Sequence, residues 1–533
     1  MCVTLAMLRR HINPLESPLY RLPPDLFPGI ALHCASGTDL VNVTHVSYHL
    51  RNALLSYPSL WSYLDFRNET RARAFFERTG RTLLYVDMPM DTTQMAGSST
   101  ELHQQSERIA TLKLRSWSLQ SAFLSVPLPS LRRLEISYQY YDYSDWDEDE
   151  NREIDWASVW DPKEAASWSF PSLASLTLHN LIPTPFYAPH LTCFKFWDQA
   201  SATNTDKLLN FLDNYPLLEH IDISYGGRFR SKQDLAVSLP NLRTYTETTF
   251  DGEYSLTVLN KLSHPPSCSV TLKFWNGGMV AKADDILPDF KNRDYLVEIK
   301  RVKFRAMDDA GGNEVVGALE FVNAKGTRLC SERMNLEKKG CRPRSKNYPL
   351  NRMHLNFLKK IDGRSVEILC IDGCSQRDVA AVEFLKEGLG FVNVRMLILS
   401  RSAVGPCLSA LNEDLGADGH SQWISSIHTL IIHPDSDPPL YLRNQLSRQL
   451  ISIAQKRKVA GFPFGFVSLF LQDGPGWGWD EDSELKLREC VEKLEVVRGD
   501  DVLDWDVDKY FLDGLDHLQK IRDVQWDQEG MYH

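Results

Sequence analysis

Pro171-Ser172-Leu173-Ala174-Ser175-Leu176-Thr177-Leu178 is the plainest copy of the pattern that decides the fold: a proline, then apolar residues at the second, fifth and seventh positions after it. The spacing recurs as Pro129 with Leu131, Leu134 and Ile136; as Pro189 with Leu191, Phe194 and Phe196; and as Pro216 with Leu218, Ile221 and Ile223. A fifth copy at Pro240 keeps Leu242 and Tyr245 but puts Glu247 at the last position. The final two apolar positions lie two residues apart, the period of a strand that buries one face. The first packs at the strand's entry.

This is the L-x-x-L-x-L pattern of leucine-rich repeats. Versions without proline occur at Leu83/Val86/Met88, Ile109/Leu112/Leu114, Val366/Leu369/Ile371, Val394/Leu397/Leu399, Ile427/Leu430/Ile432 and Val491/Leu494/Val496. Bare triplets at this spacing arise by chance about ten times in so apolar a chain, so the four complete proline copies carry the argument. They are separated by 18 to 42 residues and lack the asparagine that would build a regular turn ladder. The expected fold is α/β, with an irregular leucine-rich-repeat-like solenoid over 67–275 and 353–533 and an irregular insert or subdomain over 276–352. Helical sides are expected at 206–212 and 377–388, where apolar residues recur at helical spacing, and loops at 87–100 and 138–155.

Size and composition agree with a repeat protein. At 533 residues the chain exceeds one ordinary core unless it grows by repetition. With 43% hydrophobic and 24% charged residues it has the balance of a folded chain. Its net charge of −11 argues against nucleic acid as the main partner, because phosphate binding draws on clustered Lys and Arg. Ten dispersed cysteines are too dilute for a disulfide framework, and no stretch approaches the length of a membrane span. The run Val3 to Leu8, followed by Arg9-Arg10-His11, has its charge on the wrong side for a signal peptide. These features lead us to expect a cytoplasmic protein, with the basic runs 338–346 and 456–458 leaving the nucleus open, and no membrane partner.

Catalytic patterns are scarce. There is no G-x-S-x-G elbow, phosphate loop or dinucleotide fingerprint, and Asp372-Gly373-Cys374-Ser375 reads as a turn. Cys370 and Cys374 lack a second pair at metal spacing. No catalytic residue, metal or cofactor is therefore expected. Candidate binding residues are Tyr141 and Trp146, in the acidic and aromatic stretch 138–150, and Trp477 and Trp479, on a glycine-rich loop. A solvated loop is the plainer reading of the first stretch, and core tryptophans beside a turn are an equal alternative for the second. On the strands themselves, exposed positions between core residues, such as Arg132, Arg133 and Glu135, would face a partner.

Ahead of the repeats, residues 20–66 have a different character, following a tail at 1–19. Leu40, Val43, Val46, Leu50 and Leu54 recur at helical spacing after the capping candidates Thr38 and Asp39. Leu22-Pro23-Pro24-Asp25-Leu26, Ile30-Ala31-Leu32-His33-Cys34 and Pro58-Ser59-Leu60-Trp61 flank that helix in order. This block resembles the F-box, in the form found in large fungal families, with Val46-Ser47-Tyr48-His49-Leu50-Arg51 standing for its Val-Cys-x-x-Trp-Arg segment. The resemblance implies a substrate-receptor subunit of an SCF-type ubiquitin ligase, not itself an enzyme. Leu22, Pro23, Leu26, Ile30, Val46, Leu50, Leu60 and Trp61 would meet a Skp-family adaptor, which joins a cullin scaffold, while the repeats hold a target protein. The alternative is a repeat-only interaction scaffold in which the same block merely caps the solenoid.

Overall fold

The computed structural model describes residues 23, 26, 29, 37–46, 48–88, 102–116, 124, 126–138, 167–181, 183–198, 205–225, 235–249, 257–275, 299–308, 315–323, 328–334, 363–373, 391–401, 403–417, 425–433, 440–471 and 479–498. The chain forms two compact units, residues 1–221 with 232–239, and residues 222–231 with 240–533. Helices and strands are mixed and most strand pairings are parallel, an α/β arrangement. No helix among the described residues is long and apolar enough to cross a membrane.

The first unit opens with helices α1 (Gly37–Val46) and α2 (Tyr48–Leu55) and a 3-10 turn at Pro58–Trp61. Leu40, Leu50 and Leu54 are buried along them, as the helical spacing predicts. Val46 is instead 66% exposed. Six residues after Leu40 at 100° each, it lies about 120° round the helix, outside the buried stripe. Trp61 is wholly buried: its indole Nε1 donates to Leu54 O at 3.1 Å, and its ring meets Phe75 edge-on at 4.9 Å. Arg78 sits 4.8 Å over the Trp61 ring.

Strands β1 (Tyr63–Asp65), β2 (Leu84–Met88), β3 (Ile109–Ser116), β4 (Arg133–Tyr138), β5 (Ser175–His179) and β6 (Cys193–Asp198) pair in parallel, each with the next along the chain. Helix α3 (Glu69–Phe76), capped by the Asn68 side chain on Arg71 N at 3.0 Å, links β1 to β2. The proline repeats explain the strand entries. In Leu128-Pro129-Ser130-Leu131, Phe170-Pro171-Ser172-Leu173, Ala188-Pro189-His190-Leu191 and Tyr215-Pro216-Leu217-Leu218, the fourth N–H donates to the first carbonyl at 3.1 to 3.2 Å. Proline presets the backbone at the second position of such a turn, so each copy aims the next three residues into a strand.

Register then follows from apolar spacing. Val86, Leu112, Leu134, Leu176 and Phe194 stack strand to strand, as do Met88, Leu114, Ile136, Leu178 and Phe196, and all are buried. At β2 the entry residue is Leu84, not the expected Leu83, which is exposed. The step from Leu84 to Val86 is one residue shorter than from Ile109 to Leu112, and the β2–β3 pairing shifts register there. Helix α4 (Thr205–Asp213) buries Leu208, Leu209, Phe211 and Leu212 in the helical side expected at 206–212. Strand β7 (His220–Tyr225) spans the division between the units, and β8 (Val237–Ser238) is a two-residue strand.

The second unit contains β9 (Thr244–Thr249), α5 (Thr257–Lys261), β10 (Leu262–Ser263), β11 (Ser269–Trp275), β12 (Ile299–Asp308), β13 (Val315–Asn323), β14 (Arg328–Met334), β15 (Ile368–Gly373) and β16 (Met396–Arg401). After α6 (Val404–Ala417) come β17 (Thr429–His433), α7 (Leu440–Val459), β18 (Phe466–Leu471), α8 (Glu481–Arg488) and β19 (Lys493–Arg498). From β15 to β19 the strands again pair in parallel in chain order, with helices in the later connections. The segment 276–352, expected as an irregular insert or subdomain, contributes β12, β13 and β14 as an antiparallel meander, with β14 parallel to β11 and β12 parallel to β15. The helix expected at 377–388 lies outside the described residues.

Candidate protein-interaction site

The first unit carries two surfaces on which a partner could act. On the helical module, Pro23, Leu26, Val46 and Tyr48 are exposed. Leu50, Leu60 and Trp61, assigned to the same surface from sequence, lie inside the module with Leu54 and Phe75, where they hold its helices together. Leu22 and Ile30 lie outside the described residues.

The second surface is the outward face of the strands, the side chains between the stacked apolar rows. One register row runs Tyr63, Tyr85, Thr111, Arg133, Ser175, Cys193, and the next runs Asp65, Asp87, Lys113, Glu135, Thr177, Lys195. A third holds Arg115, Ser137, His179 and Trp197, with His179 and Trp197 rings 5.6 Å apart. Tyr85 is 47% and Trp197 43% exposed, and Arg133 and Lys195 are exposed as well.

The carboxylates on this face are matched within it. Asp65 accepts Arg67 N, Nε and a terminal guanidinium N–H at 3.1, 2.8 and 2.9 Å, and Arg71 at 3.2 Å. Burial works to raise the Asp65 pKa, yet these bonds and charges hold it below the usual carboxylate range. Buried Asp87 accepts Tyr63 OH and Arg115 at 3.2 Å each, and burial together with that carboxylate pushes the Tyr63 phenol up. Glu135 pairs with Lys113 at 2.8 Å. Burial lowers the His179 pKa, which favours the neutral ring.

The counterpart face in the second unit is closed. Ile368, Cys370, Met396, Ile398, Ile431 and Phe470 cluster there with Val322 of β13, all buried. Farther along, Asp372 pairs in register with Ser400, and Ser400 with His433, an acid, hydroxyl and imidazole in one row. The order is wrong for nucleophilic catalysis. Ser400 Oγ donates to Asp372 Oδ1 at 2.6 Å instead of to a base, and both residues are fully buried. Such a bond serves to satisfy polar groups out of water.

Glu247, the exception in the fifth repeat, takes an inner-face position among apolar side chains. Its carboxylate is fully buried and accepts Tyr225 OH, Tyr245 OH at 2.6 Å and Leu259 N–H. Burial pushes its pKa up to about 7 against those three bonds, and pushes both tyrosines well above their usual value. The sequence signal was an acid at an apolar position; its two tyrosine partners could not be assigned without the ladder.

Among the described residues no three His, Cys, Asp or Glu side chains gather into a metal-holding group. Trp479 is half-buried beside the N-terminus of α8, where Asp480 caps Ser483 N at 2.8 Å. Tyr141, Trp146 and Trp477 lie outside the described residues. No family model, curated protein or solved structure matches this chain.

Proposed function

We propose that this protein is a substrate receptor of an SCF-type ubiquitin ligase, with no chemistry of its own. In this reading residues 20–66 are an F-box-like docking module, and the strands after it form a leucine-rich-repeat-like solenoid that holds a target. The observation that carries it is the parallel pairing of β1 to β6 in chain order, with repeat residues in register, directly behind a helical module that ends in the buried Leu60-Trp61 corner. Strands that each pair with the next along the chain are what stacked repeats produce. The exposed residues Leu26, Val46 and Tyr48 supply apolar area for a Skp-family adaptor, which links to a cullin.

A second reading is a repeat-only scaffold whose module is a cap. It is favoured by the inward burial of Leu50, Leu60 and Trp61, and by Tyr85 N donating to Ser62 O at 2.9 Å, which ties the module to β2. Co-purification of the full-length chain with a tagged Skp adaptor and cullin separates the two. Val46→Asp with Tyr48→Asp, both at exposed sites, is expected to abolish capture while leaving thermal unfolding unchanged. Unchanged capture by this variant, or none by the native chain, overturns the docking reading.

A further inference from the structure

We infer that the outward face of β4 to β6 is a docking site for an extended acidic segment of a partner protein, with Arg133 and Lys195 as its cationic anchors and Trp197 as its aromatic one. Taking the segment to be part of a ligase target rests on the proposed function; the binding itself does not. Three observations converge. First, the face is open, with Arg133, Lys195 and Trp197 all exposed, whereas the corresponding face of β15 to β18 is sealed by apolar side chains.

Second, its charge is unbalanced in one direction. Asp65, Asp87 and Glu135 are each engaged by a neighbouring cation, while Arg133 and Lys195 form no ion pair among the described residues. Locally, two exposed cations that form no ion pair among the described residues, set beside a tryptophan, favour a carboxylate against this face even though the whole chain carries a net charge of −11.

Third, the spacing suits a peptide backbone. Arg133 on β4 and Lys195 on β6 flank β5, whose outward Ser175 and Thr177 are short. Two strand separations and a two-residue offset along the strands put the anchors about 12 Å apart, close to four residues of extended chain. An acidic residue over Arg133 and a second four positions on over Lys195 project from the same side of an extended chain, and the next side chain on that side comes within reach of Trp197, two residues beyond Lys195 on the same face. The Ser175 and Thr177 hydroxyls lie between the anchors and can bond the peptide backbone.

The test uses the full-length chain and two labelled copolymers, poly(Glu,Tyr) and poly(Lys,Tyr), with binding read by fluorescence anisotropy. Poly(Glu,Tyr) is expected to bind in a salt-sensitive manner. Arg133→Glu with Lys195→Glu should weaken it by about tenfold or more, and Trp197→Ala by a smaller factor. A control with equal charge change on the second unit, Lys458→Glu with Lys486→Glu, should retain native binding. No binding of poly(Glu,Tyr), no loss in the Arg133/Lys195 variant, an equal loss in the control, or a weakening of poly(Lys,Tyr) binding by Arg133→Glu with Lys195→Glu would overturn the inference. Adaptor capture is expected to be untouched by Arg133→Glu with Lys195→Glu, so failure here is distinguishable from failure of the ligase reading.

Discussion

Strands β4 to β6 and strands β15 to β18 share one inner-face pattern and differ on the other side. In the first set, burial alternates: Leu134, Ile136, Leu176, Leu178, Phe194 and Phe196 turn inward, and Arg133, Glu135, Thr177 and Lys195 stay at least partly exposed between them. In the second, Ile368-Leu369-Cys370-Ile371 and Phe466-Val467-Ser468-Leu469-Phe470-Leu471 are buried at every position. A parallel strand covered on one face reads as alternation, and one covered on both reads as a continuous apolar run. The same apolar spacing therefore leaves the outward face exposed in one unit and buried in the other.

The largest effect expected from this contrast comes from placing an aspartate on the outward face of each set. Ile398→Asp puts a charge among fully buried side chains and should cost about 4 kcal/mol or more. Thr177→Asp, at an outward position of the first unit, should change stability by less than about 0.5 kcal/mol. Chemical denaturation of both variants measures the difference, and equal costs would break the distinction between the faces.

The inner face is tested by its one acid. Glu247 has a folded pKa raised to about 7 from 4.5, so between those values the folded state holds a proton that the unfolded state has released. Its contribution is complete below pH 4.5 and is lost as the pH rises through 7, a loss of about 3 kcal/mol in all. Glu247→Gln, which keeps the hydrogen-bonding shape without the charge, should flatten stability over that window. A pH profile identical to the native one would show that Glu247 is not buried in this way.

A smaller effect is expected at the strand entries. A Cβ on Gly465 would stand 2.0 Å from the His428 ring, which packs over this position at the start of β18. Gly465→Ala should destabilise the second unit by about 2 kcal/mol, because the ring must leave its site. A melting temperature equal to that of the native chain would show that the approach is looser.

Much of this organisation is legible residue by residue. The proline copies at 129, 171, 189 and 216 each open a four-residue turn, and the apolar positions after them are the buried ones. Both signals are local, spanning eight residues, and depend on backbone restriction and period two alone. Less local features were missed. Triplet spacing points to Leu83 instead of Leu84 because it does not reveal a register shift, and the meander β12 to β14 lacks the repeat pattern because antiparallel neighbours replace stacked ones. In the helical module the buried residues Leu50, Leu60 and Trp61 and the exposed Val46 look alike in sequence; packing separates them.

Sequence alone determined the proline-led strands β4 to β7, their inward rows and the turns that launch them, since proline geometry and side-chain alternation act within a few residues. Only the tertiary structure decided which outward face stays open, which tyrosines satisfy Glu247 and which carboxylates on the open face are already matched. Those outcomes depend on side chains that the chain brings together from 20 to 30 residues apart, such as Tyr63 with Asp87, Tyr225 with Glu247 and Ser400 with Asp372. No local period encodes such pairings, because they arise where one strand is laid beside the next.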